Sequence, residues 1–110
     1  MSEQNRVLGS FEYQILSVLI NQPRDAYGAT IQERLEASTN RDFSVGAIYT
    51  ALERLERKGF VTSRWGEPTP ERGGRRKRYY QIESSGRQAV RQTESVFNPS
   101  SIPGFAAGAV

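Results

Sequence analysis

The stretch SVGAIYTALERLERKGFVTSRW, Ser44 to Trp65, changes its hydrophobic period in the middle, and that change decides the fold. Before Gly59 the period is helical. Ser44 offers an N-cap, Val45, Ile48, Leu52 and Leu55 form a stripe for burial, and Gly59 supplies a C-terminal stop. Steps of about 100° place Gly46, Thr50, Glu53, Arg54 and Arg57 opposite the stripe and Tyr49 at its border. After Gly59 the period becomes two, so Phe60 to Trp65 reads as a strand and Arg78 to Ile82 as its return. Between them, Gly66 to Lys77 is a loop with two Pro and three Gly, longer than the usual two to five or so residues of a hairpin.

Two helices precede this unit. Leu8, Phe11, Ile15, Leu16 and Leu19 recur at helical spacing, with Ser10 as N-cap and Pro23 as stop. Asp25 is placed to cap a second helix that carries Tyr27, Ile31 and Leu35 on one face and ends near Ser38 to Asn40. Gly28, in its first turn, either admits a neighbouring backbone or is a tolerated weakness. Three helices followed by a hairpin with a long basic loop describe a mainly α fold of the winged helix-turn-helix type. A further helix begins near Ser84, where Ser85 and Gln88 have capping-box spacing, and ends at Asn98-Pro99. Its Ala89, Val90, Thr93, Val96 and Phe97, with Phe11 of the first helix, are expected to meet a second copy of the chain as a dimerisation surface; packing back on the first helix is the alternative, and both can hold. The expected organisation is a flexible N-terminus (1–7), the winged helix (8–83), the dimerisation helix (84–97) and a disordered, uncharged tail (98–110).

Charge is concentrated rather than general. The formal net charge is +3, yet Arg72, Arg75, Arg76, Lys77 and Arg78 put five cations into seven positions; without them 10 basic residues face 12 acidic ones. A local basic element suits a polyanion. Cys and His are absent, which removes thiol chemistry, Cys/His zinc sites and the commonest neutral-pH base. Neither an enzyme, nor a metal site, nor a cofactor is expected. Met1 to Arg6 is polar, without the apolar run of a signal peptide, and no membrane span is visible, so the expected setting is the cytoplasm.

In a helix-turn-helix the second helix of the pair enters the major groove of double-stranded DNA. That is the Ser44 helix here. Ser44 and the free N–H groups of its first turn suit a phosphate, Gly46 and Ala47 permit close approach, and Thr50 can touch a base or a phosphate. Tyr49 either reaches a phosphate or is an ordinary half-buried aromatic, and Arg54 either contacts DNA or pairs with a neighbouring Glu. In the wing, Arg75, Arg76, Lys77 and Arg78 can neutralise phosphates or enter a minor groove. Alternation puts Arg78 on the face of Tyr80 and Ile82, and Lys77 with Tyr79 on the other. Trp65 is expected to pack beneath the hairpin.

These residues resemble the PadR family of bacterial transcription regulators. The resemblance rests on LSVL (16–19), Tyr27-Gly28, SVGAIYTAL (44–52), Arg54-Leu55, GFV (59–61), GRRKRYY (74–80) and Gly86, and spans about residues 8–97. It implies a winged-helix domain with a C-terminal dimerisation helix, a palindromic operator, usually repression, and DNA contacts from Tyr49 and the wing cations. Two departures stand out. The family often has Pro after the Tyr where this chain has Thr50, and the short C-terminal helix, with the only Trp placed in the wing, speaks against a small-molecule effector. A winged-helix module that binds a protein rather than DNA is the competing reading.

Overall fold

A computed structural model describes residues 7–68 and 76–97. Its elements run α1 (Ser10–Asn21), α2 (Gly28–Thr39), α3 (Val45–Arg57), β1 (Val61–Trp65), β2 (Arg78–Ile82) and α4 (Ser84–Phe97). This is the mainly helical winged helix expected from the sequence.

Helix α3 forms as its sequence dictates at both ends. The Ser44 hydroxyl oxygen accepts the Ala47 N–H at 3.0 Å. At the other end Gly59 takes φ +83°, and the N–H groups of Gly59 and Phe60 donate to the carbonyls of Glu56 and Leu55, both at 3.0 Å. This paired closure satisfies two carbonyls that the helix would otherwise leave open. The buried stripe is Ile48, Ala51, Leu52 and Leu55. Val45, expected in it, is 37% exposed, because every residue from Ser44 to Ala47 stands clear of the core.

Two expected caps are corrected. Gly9, not Ser10, precedes α1, and Ser10 is already helical. Helix α2 starts at Gly28 rather than after Asp25, because the Ala26 carbonyl accepts the Tyr80 N–H at 2.8 Å and holds the chain extended along β2. Thr30 then accepts the Tyr27 N–H at 3.0 Å and closes the helix start. Asn40 ends α2 with φ 58°, a left-handed conformation that Asn tolerates better than most residues.

Strands β1 and β2 pair antiparallel from Val61↔Ile82 to Trp65↔Arg78, and the Gly66 N–H donates to the Lys77 carbonyl at 2.7 Å beyond them. Val61, Tyr80 and Ile82 enter the core with Ile15, Leu16, Leu19, Ile31 and Leu35. Each such aliphatic side chain contributes roughly 1.5–3 kcal/mol on burial.

Helix α4 closes this core instead of standing apart from it. Its start lies against the α3–β1 turn: a Cβ at Gly86 would lie 2.8 Å from Ile82 Cγ1 and would also strike the Phe60 carbonyl. Ser85, expected to form a capping box, donates to the Gly59 carbonyl at 2.7 Å. Farther along, Thr93 accepts the Leu8 N–H at 3.0 Å and donates to the Ala89 carbonyl at 2.8 Å. Tyr13 of α1 donates to Glu94 at 2.9 Å, and that hydrogen bond, more than burial, raises its phenol above the ordinary value of 10.0. Burial likewise raises Tyr80. Both folded-state values lie above the unfolded one, so this stabilisation is complete at neutral pH and is lost as pH rises through the raised values.

Candidate nucleic-acid interface

The outward half of α3 is nearly free of intramolecular partners. Ser44, Gly46, Ala47, Tyr49, Thr50, Glu53, Arg54 and Arg57 are exposed. Beyond the Ser44 cap, the first turn is bare: a Cβ at Gly46 would meet nothing within 4 Å. The Thr50 hydroxyl donates to the Gly46 carbonyl at 2.9 Å. Glu56 pairs across the fold with Arg78, and among the described residues Arg54 and Arg57 have no carboxylate partner.

Tyr49 is held from two sides. Its ring lies over Gly28 at the start of α2, where an added Cβ would sit 2.6 Å from Tyr49 Cζ. The Tyr80 ring lies 6.4 Å away on the hairpin. Gly28 therefore admits a side chain rather than a backbone, and Tyr49 remains 37% exposed beside the free face of α3.

The wing cations are more committed. Arg76 donates from Nε to the Gly66 carbonyl at 3.0 Å and lies 5.9 Å from the Trp65 ring. Lys77 Nζ sits 5.2 Å from the Tyr27 ring, and Tyr79 meets that ring edge-on at 5.6 Å, as the alternation predicts. Arg78 donates to Ser63 Oγ at 3.0 Å and to Glu56 at 3.5 Å, and stacks on Trp65 at 5.3 Å. Arg75 lies outside the described residues. Trp65, expected beneath the hairpin, is 55% exposed. With Tyr27, Tyr49, Glu53, Arg76 and Lys77 it lines a cleft of about 420 Å³ between α3 and the hairpin.

The residues expected at a dimer surface separate. Ala89, Val90 and Thr93 are buried within the chain itself, against α1 and the Leu8 backbone, the packing on the first helix that the sequence left open beside a dimer contact. Phe11 is half-buried and stacks on Phe43 at 5.4 Å. Val96 is exposed, and the Phe97 side chain lies outside the described residues. Tyr27, Val45, Arg64 and Trp65 were not singled out from the sequence as surface-building residues. Arg64 is exposed, lies 4.7 Å from the Tyr79 ring and donates to the Arg24 carbonyl at 3.3 Å. Its place opposite Tyr79 in the hairpin register was the available signal. No helix among the described residues is long and apolar enough to cross a membrane.

Residues 15–92 match the model of the transcriptional regulator PadR-like family. The chain belongs to this family. Solved structures of similar fold include a transcriptional regulator from Clostridium thermocellum, 27% identical with TM-score 0.68, covering 82% of this chain and 84% of that one. The hsRosR protein in the complex structure hsRosR-S4 is 26% identical with TM-score 0.67, covering 94% and 81%. A PadR family transcription regulator from hypervirulent Clostridium difficile is 24% identical with TM-score 0.61, covering 84% and 94%. No curated protein matches the sequence. A PadR-like regulator is thus built here with an unencumbered third helix and a hairpin whose cations lean on aromatic rings.

Proposed function

We propose that this PadR-like regulator is a sequence-specific repressor that binds a pseudo-palindromic operator in double-stranded DNA as a homodimer. The observation that carries this reading is the exposed outer side of the start of α3, Ser44 to Ala47 with Tyr49 and Thr50, beside a cleft that Tyr49 and Glu53 line together with Arg76 and Lys77. Helix α3 enters the major groove, its open N-terminus and Ser44 take a phosphate, and Tyr49 and Arg54 meet the flanking strand. Arg75, Arg76, Lys77 and the outer edge of Arg78 follow the backbone on the wing side. A two-fold dimer sets the half-sites about one helical turn apart. Its contact falls to the side of α4 that the core leaves open, where Val96 is exposed, and to the end of that helix.

Selection of bound sequences from a random duplex library, followed by anisotropy titration at two salt concentrations, tests this. A two-fold symmetric motif bound about a thousandfold more tightly than a scrambled duplex is the expected result. Weak, salt-dependent and sequence-blind binding would overturn it. The exposed ring of Trp65 favours a second reading, a wing that docks a protein. In that case charge reversal at Arg75, Arg76 and Lys77 changes partner capture and leaves DNA affinity unchanged.

A further inference from the structure

The first turn of α3 presents methyl groups rather than hydrogen-bonding side chains. Val45 is 37% exposed at the first helical position, Ala47 is exposed beside it, and Gly46 contributes no side chain. The polar side chains nearby are few, and two of them already hold bonds within the helix start. Ser44 accepts the Ala47 N–H, and the Thr50 hydroxyl gives its proton to the Gly46 carbonyl at 2.9 Å. Thr50 therefore has no proton to offer a base acceptor while that bond is kept, whereas its methyl group has no such commitment. Tyr49 is pinned between Gly28 and Tyr80. The next exposed polar side chains, Glu53 and Arg54, lie about a turn farther along.

In the major groove every base edge presents donors or acceptors, and one base presents an apolar group as well, the C5-methyl of thymine. An apolar surface pressed on guanine or cytosine would desolvate polar atoms without pairing them. Against a thymine methyl it gains contact area and leaves fewer polar atoms unpaired. We propose that Val45, Ala47 and the Thr50 methyl read thymine 5-methyl groups, and that Val45 is a specificity-determining residue of this regulator. This rests on the DNA-binding reading above and goes beyond it by naming the base group recognised.

Deoxyuridine tests it, because it keeps the pairing and hydrogen-bonding edges of thymine and removes only the methyl group. Each thymine of the selected operator is replaced in turn and binding of the full chain is titrated. One or two positions in each half-site are expected to weaken by about three- to tenfold, the scale of one buried methyl. In Val45→Ala the penalty at one of those positions should fall below about twofold, since its partner methyl is gone. Thermal unfolding of that variant should match the parent, as Val45 lies outside the core. An operator indifferent to uracil at every position overturns methyl reading and leaves the regulator intact. A uracil penalty unchanged in Val45→Ala assigns the effect to duplex shape and overturns the role of Val45. If the selected duplex is not preferred over a scrambled one, the DNA reading itself falls, and this inference with it.

Discussion

Helix α3 and the hairpin contain the two clusters of candidate contacts, and they are built on opposite principles. The outward residues of α3 keep few bonds with the rest of the chain. The described hairpin cations each have a partner: Arg64 a carbonyl and a ring, Arg76 a carbonyl and a ring, Lys77 a ring, Arg78 a carboxylate, a hydroxyl and two rings. A run of positive charge in a sequence therefore differs from a run of available positive charge. Guanidinium groups stacked on Trp65 and Tyr79 still present N–H edges outward, so the aromatic rings can orient them for phosphates at modest cost. The hairpin is thus preorganised by its own contacts, whereas α3 is preorganised only by its caps and its buried stripe.

The sharpest way to break this comparison is to remove the wing charge. Replacing Arg75, Arg76 and Lys77 with Ala is expected to weaken binding to every duplex and to reduce the magnitude of the salt slope by roughly 0.9 for each phosphate left without its cation. Anisotropy titrations across salt concentrations check both. An unchanged slope would remove the wing from the DNA contacts. A smaller effect is expected from Gly28→Ala, which forces a methyl group against the Tyr49 ring. Overpacking of this kind costs about 1–3 kcal/mol, measured by denaturant unfolding. The cost should largely vanish in Gly28→Ala combined with Tyr49→Ala, because the two positions meet at one point. If it persists, Gly28 serves the helix backbone rather than the placement of Tyr49.

The parts of this molecule set by short-range chemistry were legible in advance. Ser44 as cap, Gly59 as stop and the Arg78–Ile82 strand need only a few neighbouring residues to be specified. What escaped depends on distant partners. The start of α2 moves to Gly28 because Ala26 is taken by Tyr80, and the choice the sequence left open for the inner face of α4 falls to α1, where Thr93 binds the Leu8 backbone 85 positions away. Trp65 sits on the inward face of its strand by alternation, yet it emerges in the cleft because it lies at the far end of the hairpin, beyond the core. At the site, the exposure of α3 followed from its polar face. The engagement of Arg78 by Glu56 did not, since periodicity assigned a face and could not name the partner across it.

Two smaller effects sharpen the contrast between the regions. Ser44→Ala removes the α3 cap and is expected to cost about 1 kcal/mol, read by denaturant unfolding, with a loss of DNA affinity if the same hydroxyl meets a phosphate as proposed. Arg78→Ala should separate fold from DNA binding most finely. Its ion pair with Glu56 is about one-third exposed on both sides, at 38% and 33%, so solvent screening holds its stability effect to roughly 0.2–1 kcal/mol. Because its guanidinium is tied to Ser63, Glu56 and Trp65, the salt slope for DNA should change less than in Arg76→Ala. Glu56→Gln then distinguishes two origins of the weaker binding. If Arg78 only braces the hairpin against α3, freeing it in Glu56→Gln lowers stability slightly and leaves the slope alone. If Arg78 meets a phosphate while restrained by its carboxylate, the same substitution releases a cation, and both the affinity and the magnitude of the slope rise.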